Sequence, residues 1–197
     1  MKEIYIILTH TGTVLSKIIK SYTKDEFSHI SISLDAELEE MYSFGRLRPY
    51  NAFVGGFVHE YIDKGTFQRF RNTMSKIYSL EVTEEQYEKI ENSIREIQKE
   101  KDIYKFNILG LIAAGLNKKI KGKHSFYCAE FVKYVIEKAD MNIALPEIVK
   151  PEDFKNIQGL NEIYSGLLKD YKSSKINITN ILRDNLLRYA KKEEMVQ

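Results

Sequence analysis

Cysteine occurs once in the 197 residues, at Cys128, so no disulfide can form within the chain and a stapled secreted scaffold is excluded. No apolar stretch reaches membrane-spanning length. The longest, Ile108 to Leu116, is about half of the roughly 20 residues a span requires. Neither sign of charge predominates, with 30 basic and 28 acidic residues mixed along the chain, which argues against the strong positive field of a nucleic-acid binder. Met1 to Leu8 lacks the small-residue cleavage site of a signal peptide, and together with the lone thiol this sets a cytoplasmic location as the expectation. There is no His-x-x-x-His, no cysteine pair at ligand spacing, no Walker-type loop and no dinucleotide fingerprint, so neither metal nor cofactor is expected. Internal repeats and low-complexity segments are also missing.

What is present is ordinary globular material, 43% hydrophobic and 29% charged. The length fits one catalytic or binding domain over residues 1–168, followed by a basic helix and tail over 169–197. Ile4 to Thr9 is a β-branched run ended by Thr11-Gly12-Thr13, a buried strand that leaves through a glycine turn. Val14, Leu15, Ile18 and Ile19 then predict a short helix. From Phe27 to Leu34 the residues alternate, with Ile30, Ile32 and Leu34 on one face and His29, Ser31 and Ser33 on the other. After a turn at Asp35-Ala36-Glu37, Glu40 to Phe44 returns antiparallel. Arg46 to Asn51 reads as a loop, and Phe53 to Tyr61, Thr66 to Phe70, Ile77 to Val82 and Ile163 to Leu168 read as further strands. The Gly55-Gly56 pair predicts a close backbone approach.

Thr83 and Gln86 make a capping box ahead of an amphipathic helix whose apolar stripe is Tyr87, Ile90, Ile94 and Ile97. A more apolar helix is expected over Ile103 to Leu116, a helical turn over Glu152 to Ile157, and a last helix carrying Ile178, Ile181, Leu182 and Leu186. The expected class is α+β, an antiparallel sheet packed against the Thr83 helix and the helix that Cys128 opens.

That helix is marked by Cys128, Phe131, Val132 and Val135 at i, i+3, i+4 and i+7. A thiol attacks as thiolate, and a helix N-terminus favours negative charge through its unpaired amides. A nearby imidazole such as His29 would take the proton and later return it to a leaving group. Spacing alone favours the alternative, since a lone cysteine on an apolar helix face is more often a small buried hydrophobe. Lys118, Lys119, Lys121 and Lys123 just upstream would raise the local potential or attract an acidic substrate, or simply keep a loop solvated.

The order of parts is informative. Ser28-His29-Ile30-Ser31-Ile32 comes first, Met41-Tyr42-Ser43-Phe44-Gly45 next, and Phe126-Tyr127-Cys128-Ala129-Glu130-Phe131-Val132 much later. This order resembles the permuted branch of the NlpC/P60 superfamily, the YiiX/YaeF-like amidases related to lecithin retinol acyltransferase, over roughly Met1 to Ile157. The resemblance implies a circularly permuted papain-like fold with Cys128 as nucleophile and His29 as base. The family's third residue, which orients the imidazole, falls at Tyr42, with Ser43 beside it. Neither is the carboxylate or histidine common there, and Glu40, Glu60 or a backbone carbonyl are the substitutes. His10 and Thr11 end the strand that the family brings near the site, where backbone amides would help bind an oxyanion. Ser43 and Tyr127 complete the candidate binding residues.

The function implied is a thiol hydrolase, an amidase or peptidase acting on a small peptide or acyl-amide such as a recycled muropeptide. The alternatives are a lipid acyltransferase or esterase, with the Ile103 to Leu116 helix and the basic tail lining an acyl groove or making peripheral contact with an anionic membrane, and a non-catalytic ligand-binding module.

Overall fold

The structure, a computed structural model, describes residues 1–12, 25–48, 50–116, 118–120, 122 and 124–175. Strands β1 (Lys2–His10), β2 (His29–Ser33), β3 (Met41–Arg48), β4 (Asn51–Glu60), β5 (Met74–Val82) and β8 (Leu160–Leu167) form one six-stranded sheet in the order β4-β3-β2-β1-β5-β8. Every neighbouring pair is antiparallel. β1 is paired on both sides and covered on both faces, which is why its sequence is a continuous apolar run. The register sets Thr9 beside His29, Ile32 beside Tyr42 and Met41 beside Glu60. Since directly paired residues share a face, His29, Ser31, Met41, Ser43, Gly45 and Glu60 lie on one side of the sheet, and Ile30, Ile32, Tyr42 and Phe44 on the other.

The second of these faces carries the main core. Helix α2 (Glu84–Lys99) contributes Ile90, Ile94 and Ile97, and helix α4 (Cys128–Lys138) contributes Phe131, Val132, Val135 and Ile136, packed with Ile4, Ile6, Leu8, Ile30, Ile32 and Phe44. Each such side chain stabilises the fold by about 1.5–3 kcal/mol when fully buried. The expected capping box is present: Gln86 N donates to Thr83 Oγ1 at 3.1 Å and Thr83 N to Gln86 Oε1 at 3.0 Å. A smaller cluster of Tyr5, Ile7, Met41, Phe67, Leu168 and Tyr171 covers the other face.

Three expectations are corrected. Thr66 to Phe70 is a helix rather than a strand: α1 (Gly65–Arg69) buries Phe67 alone, and Phe70 N closes its last turn on Thr66 O at 3.0 Å. One buried residue per turn satisfies this short segment without a strand partner. The apolar helix begins at Ile108 instead of Ile103, because Lys105–Phe106 (β6) pairs in parallel with Ser125–Phe126 (β7), and Asn107 then caps α3 (Ile108–Gly115) by accepting from Gly110 N at 2.8 Å. Arg46 to Asn51 is mostly strand, β3 running to Arg48 and β4 starting at Asn51.

Gly55 accounts for the predicted close approach, since a Cβ there would lie 2.7 Å from Gly45 O and 2.8 Å from Phe106 Cβ. The turn over Glu152 to Ile157 is a 3-10 turn at Pro151–Asn156, and residues 171–175 are helical. The helix expected at Val14 to Ile19 and the one carrying Ile178 to Leu186 lie outside the described residues.

Candidate active site

His29 is the first residue of β2 and Cys128 the first of α4, so both side chains stand at the open ends of their elements, where strand and helix layers meet. α4 packs on β2 and β3, and at the end of β2 the imidazole and the thiol line one pocket, close enough for the Cys128 sulfur to act on the charge of the His29 ring. On its far side, His29 Nε2 lies 3.0 Å from Glu60 Oε1 and 3.3 Å from Oε2. With Nε2 committed to the carboxylate, Nδ1 is the nitrogen left for the sulfur. Glu60 is itself held, because Ser31 Oγ donates to Oε2 at 2.5 Å. Gly45 makes room for the pair, since a Cβ there would come within 3.4 Å of His29 Cε1 and 3.6 Å of Glu60 Oε1.

Charge follows geometry. Burial disfavours the imidazolium, but the Glu60 carboxylate beside it and the Cys128 sulfur outweigh burial and raise the His29 pKa from 6.5 to about 10. At neutral pH the ring therefore carries its proton between a carboxylate and the sulfur. Such a cation and the unpaired amides of the first turn of α4 make the surroundings of the sulfur electropositive.

Cys128 and His29 line a pocket of about 60 Å³ with Thr11, Ser28, Gly45, Arg46, Glu60, Thr66, Phe67, Phe106 and Leu111. Cys128 is only 2% exposed. Arg46 stands at the wall with its guanidinium 5.7 Å from the Phe70 ring centroid, and burial lowers its pKa. Among the described residues no group of three or more His, Cys, Asp or Glu is placed to hold a metal ion.

The candidates divide. Cys128, His29 and Thr11 are brought together. Tyr42 is not: it pairs with Ile32 on the opposite face, stacks on His59 with centroids 4.6 Å apart, and its hydroxyl accepts from Arg95 Nη1 at 2.6 Å. The place next to His29 that the resemblance assigned to Tyr42 is filled by Glu60, one of the substitutes weighed from the sequence. Ser43 is fully buried and donates to Ile30 O at 2.7 Å, while Tyr127 sends its hydroxyl inward to Val149 O at 2.9 Å. Neither lines the pocket. Burial and the nearby Glu130 raise the Tyr127 pKa, so the phenol stays protonated. His10 Nδ1 lies 3.4 Å from the hydroxyl of Ser28, and it is Ser28 that reaches the pocket wall.

Sequence reading missed the contributions of Ser31, Ser28, Arg46, Phe106 and Leu111. Ser31 alone carried a signal, its place two residues beyond His29 on the same strand face.

No protein-family model matches the chain, and comparison with curated proteins finds no match.

Proposed function

We propose that the chain is a cysteine hydrolase of the permuted NlpC/P60 kind, cleaving the amide bond of a small peptide or acyl-amide. The observation that carries this reading is a single imidazole that shares a pocket with the only thiol, whose sulfur acts on its charge, and that is paired with a buried carboxylate at 3.0 Å. Nucleophile, base and orienter in one chain of contacts meet the geometric requirement for nucleophilic catalysis. The order of a histidine strand followed much later by a cysteine helix supports the permuted arrangement.

In this reading the Cys128 thiolate attacks the carbonyl carbon, and the first-turn amides of α4 face the oxygen as it becomes negative. The imidazolium of His29 gives its proton to the amide nitrogen, the C–N bond breaks, and the amine leaves a thioester on Cys128. Water then attacks the thioester, His29 takes its proton, and the acid departs as the thiolate is restored. Glu60 stabilises the imidazolium at each stage and fixes the tautomer when the ring is neutral. A ligand-binding module has no need of a buried carboxylate aimed at the imidazole, which favours the catalytic reading.

The test is alkylation of the native protein with iodoacetamide at neutral pH, followed by intact mass. The expected result is one adduct, lost in Cys128→Ala and slowed in His29→Ala. A thiol that stays inert in the folded protein and reacts only after denaturation would overturn the reading.

A further inference from the structure

Five of the eleven large hydrophobic side chains that stand exposed among the described residues fall between positions 103 and 120: Ile103, Leu109, Ile112, Leu116 and Ile120, each 44% to 65% exposed. Leu109, Ile112 and Leu116 recur at three and four residues, so they form one face of α3 and its C-cap. The other side of the helix is buried through Leu111, Ala113 and Ala114, and Leu111 reaches the Cys128 pocket. Ile120 is drawn back toward the start of the helix, because the capping residue Asn107 donates through Nδ2 to Ile120 O at 2.9 Å. The aliphatic side chains therefore belong to one locally tied unit.

The same unit concentrates positive charge. Residues 101–124 contain six lysines and one acid, Asp102, whereas the rest of the chain has 24 basic and 27 acidic residues. Lys101, Lys105, Lys118 and Lys119 are exposed, and Lys119 pairs with Glu147. This combination separates the kinds of partner. The cores of protein interfaces are depleted in lysine. Single-stranded nucleic acid is held by stacked aromatics and arginine rather than aliphatic side chains. An anionic bilayer suits both components, since aliphatic groups enter the acyl boundary while lysine stems lie along it with ammonium groups among the headgroups.

We propose that the exposed face of α3, with the lysines on either side of it, docks the protein onto an anionic membrane surface. A bilayer seated there lies beside the Cys128 pocket, because Leu111 and Phe106 line that pocket and belong to this unit. The docking does not depend on the thiol chemistry.

Co-sedimentation of the full chain with phosphatidylcholine vesicles containing about 30 mol% phosphatidylserine, against phosphatidylcholine alone, tests the proposal. Binding to the anionic vesicles is expected, weakened about tenfold or more by high salt and by Lys105→Glu/Lys118→Glu. Leu109→Glu/Ile112→Glu should weaken it about tenfold or more, with an unchanged far-UV spectrum. Cys128→Ala should bind as the parent does, so failure of the docking and failure of the hydrolase reading are separate results. Absence of binding to anionic vesicles overturns the proposal, as does binding that Leu109→Glu/Ile112→Glu retains. A dimer, or a complex with single-stranded RNA, that this variant abolishes in a protein indifferent to vesicles assigns the face to that partner instead.

Discussion

Glu60 is the side chain on which the proposed chemistry of the thiol turns. It is 8% exposed, and its oxygens are shared between His29 and Ser31. Replacing it by glutamine keeps the shape but removes the charge that offsets burial of the imidazolium. Glu60→Gln is expected to lower kcat/KM on an acyl-amide by roughly 10²- to 10⁴-fold and to bring the His29 pKa down, measured as the ring chemical shifts against pH. Ser31→Ala leaves the charge and frees the carboxylate to rotate. A smaller loss of about tenfold is expected, with the His29 titration moved in the same direction but less. Tyr42→Phe discriminates in the other sense: it removes the acceptor for Arg95 and should cost about 1 kcal/mol of stability, read by urea denaturation, with little change in kcat.

At the scale of elements, the site is a joint between β2, β4 and the first turn of α4, kept close by glycines. Gly45 leaves space for the imidazole, and Gly55 lets β4 pass against Phe106 of β6. A methyl group at position 55 would meet backbone and ring atoms at 2.7–2.8 Å, so one of the two segments must move. Gly55→Ala is expected to destabilise the protein by about 1–3 kcal/mol. It should also loosen the pocket wall at Phe106, seen as faster hydrogen exchange in β6 and β7. Elements with a strong local signal were legible in the sequence. The alternation of β2, the capping box of α2 and the apolar spacing of α4 needed no tertiary information. Thr66 to Phe70 was not legible, because five residues with one buried aromatic suit either a strand or a helical turn until their neighbours are known.

For the whole molecule, the raised pKa of His29 links folding to pH. In the unfolded chain the ring titrates near 6.5, in the folded protein near 10. The folded state therefore binds the proton more tightly, and the stability this contributes is fully present below pH 6.5. It is lost progressively as pH rises from 6.5 towards 10. The urea midpoint of the parent should fall across that interval, and the fall should shrink in Glu60→Gln. A parent whose midpoint does not change across the interval would rule out the ion-paired imidazole. Among the described residues no helix is long and apolar enough to cross a membrane.

By itself the sequence determined which residues were candidates and which faces they occupied, since local periodicity places His29 opposite Ile30 and sets Cys128 at a helix start whatever the rest of the chain does. It did not determine the partner of His29. Counting back from the Arg48 and Asn51 pair would set Glu60 opposite Glu39, but the irregularity between Arg46 and Arg48 shifts the register and sets Glu60 opposite Met41, within reach of the imidazole. That shift, the packing of α4 on β2 and the space left at Gly45 involve contacts between residues far apart in the chain. Only the tertiary structure could decide that a carboxylate, and not Tyr42, faces the ring.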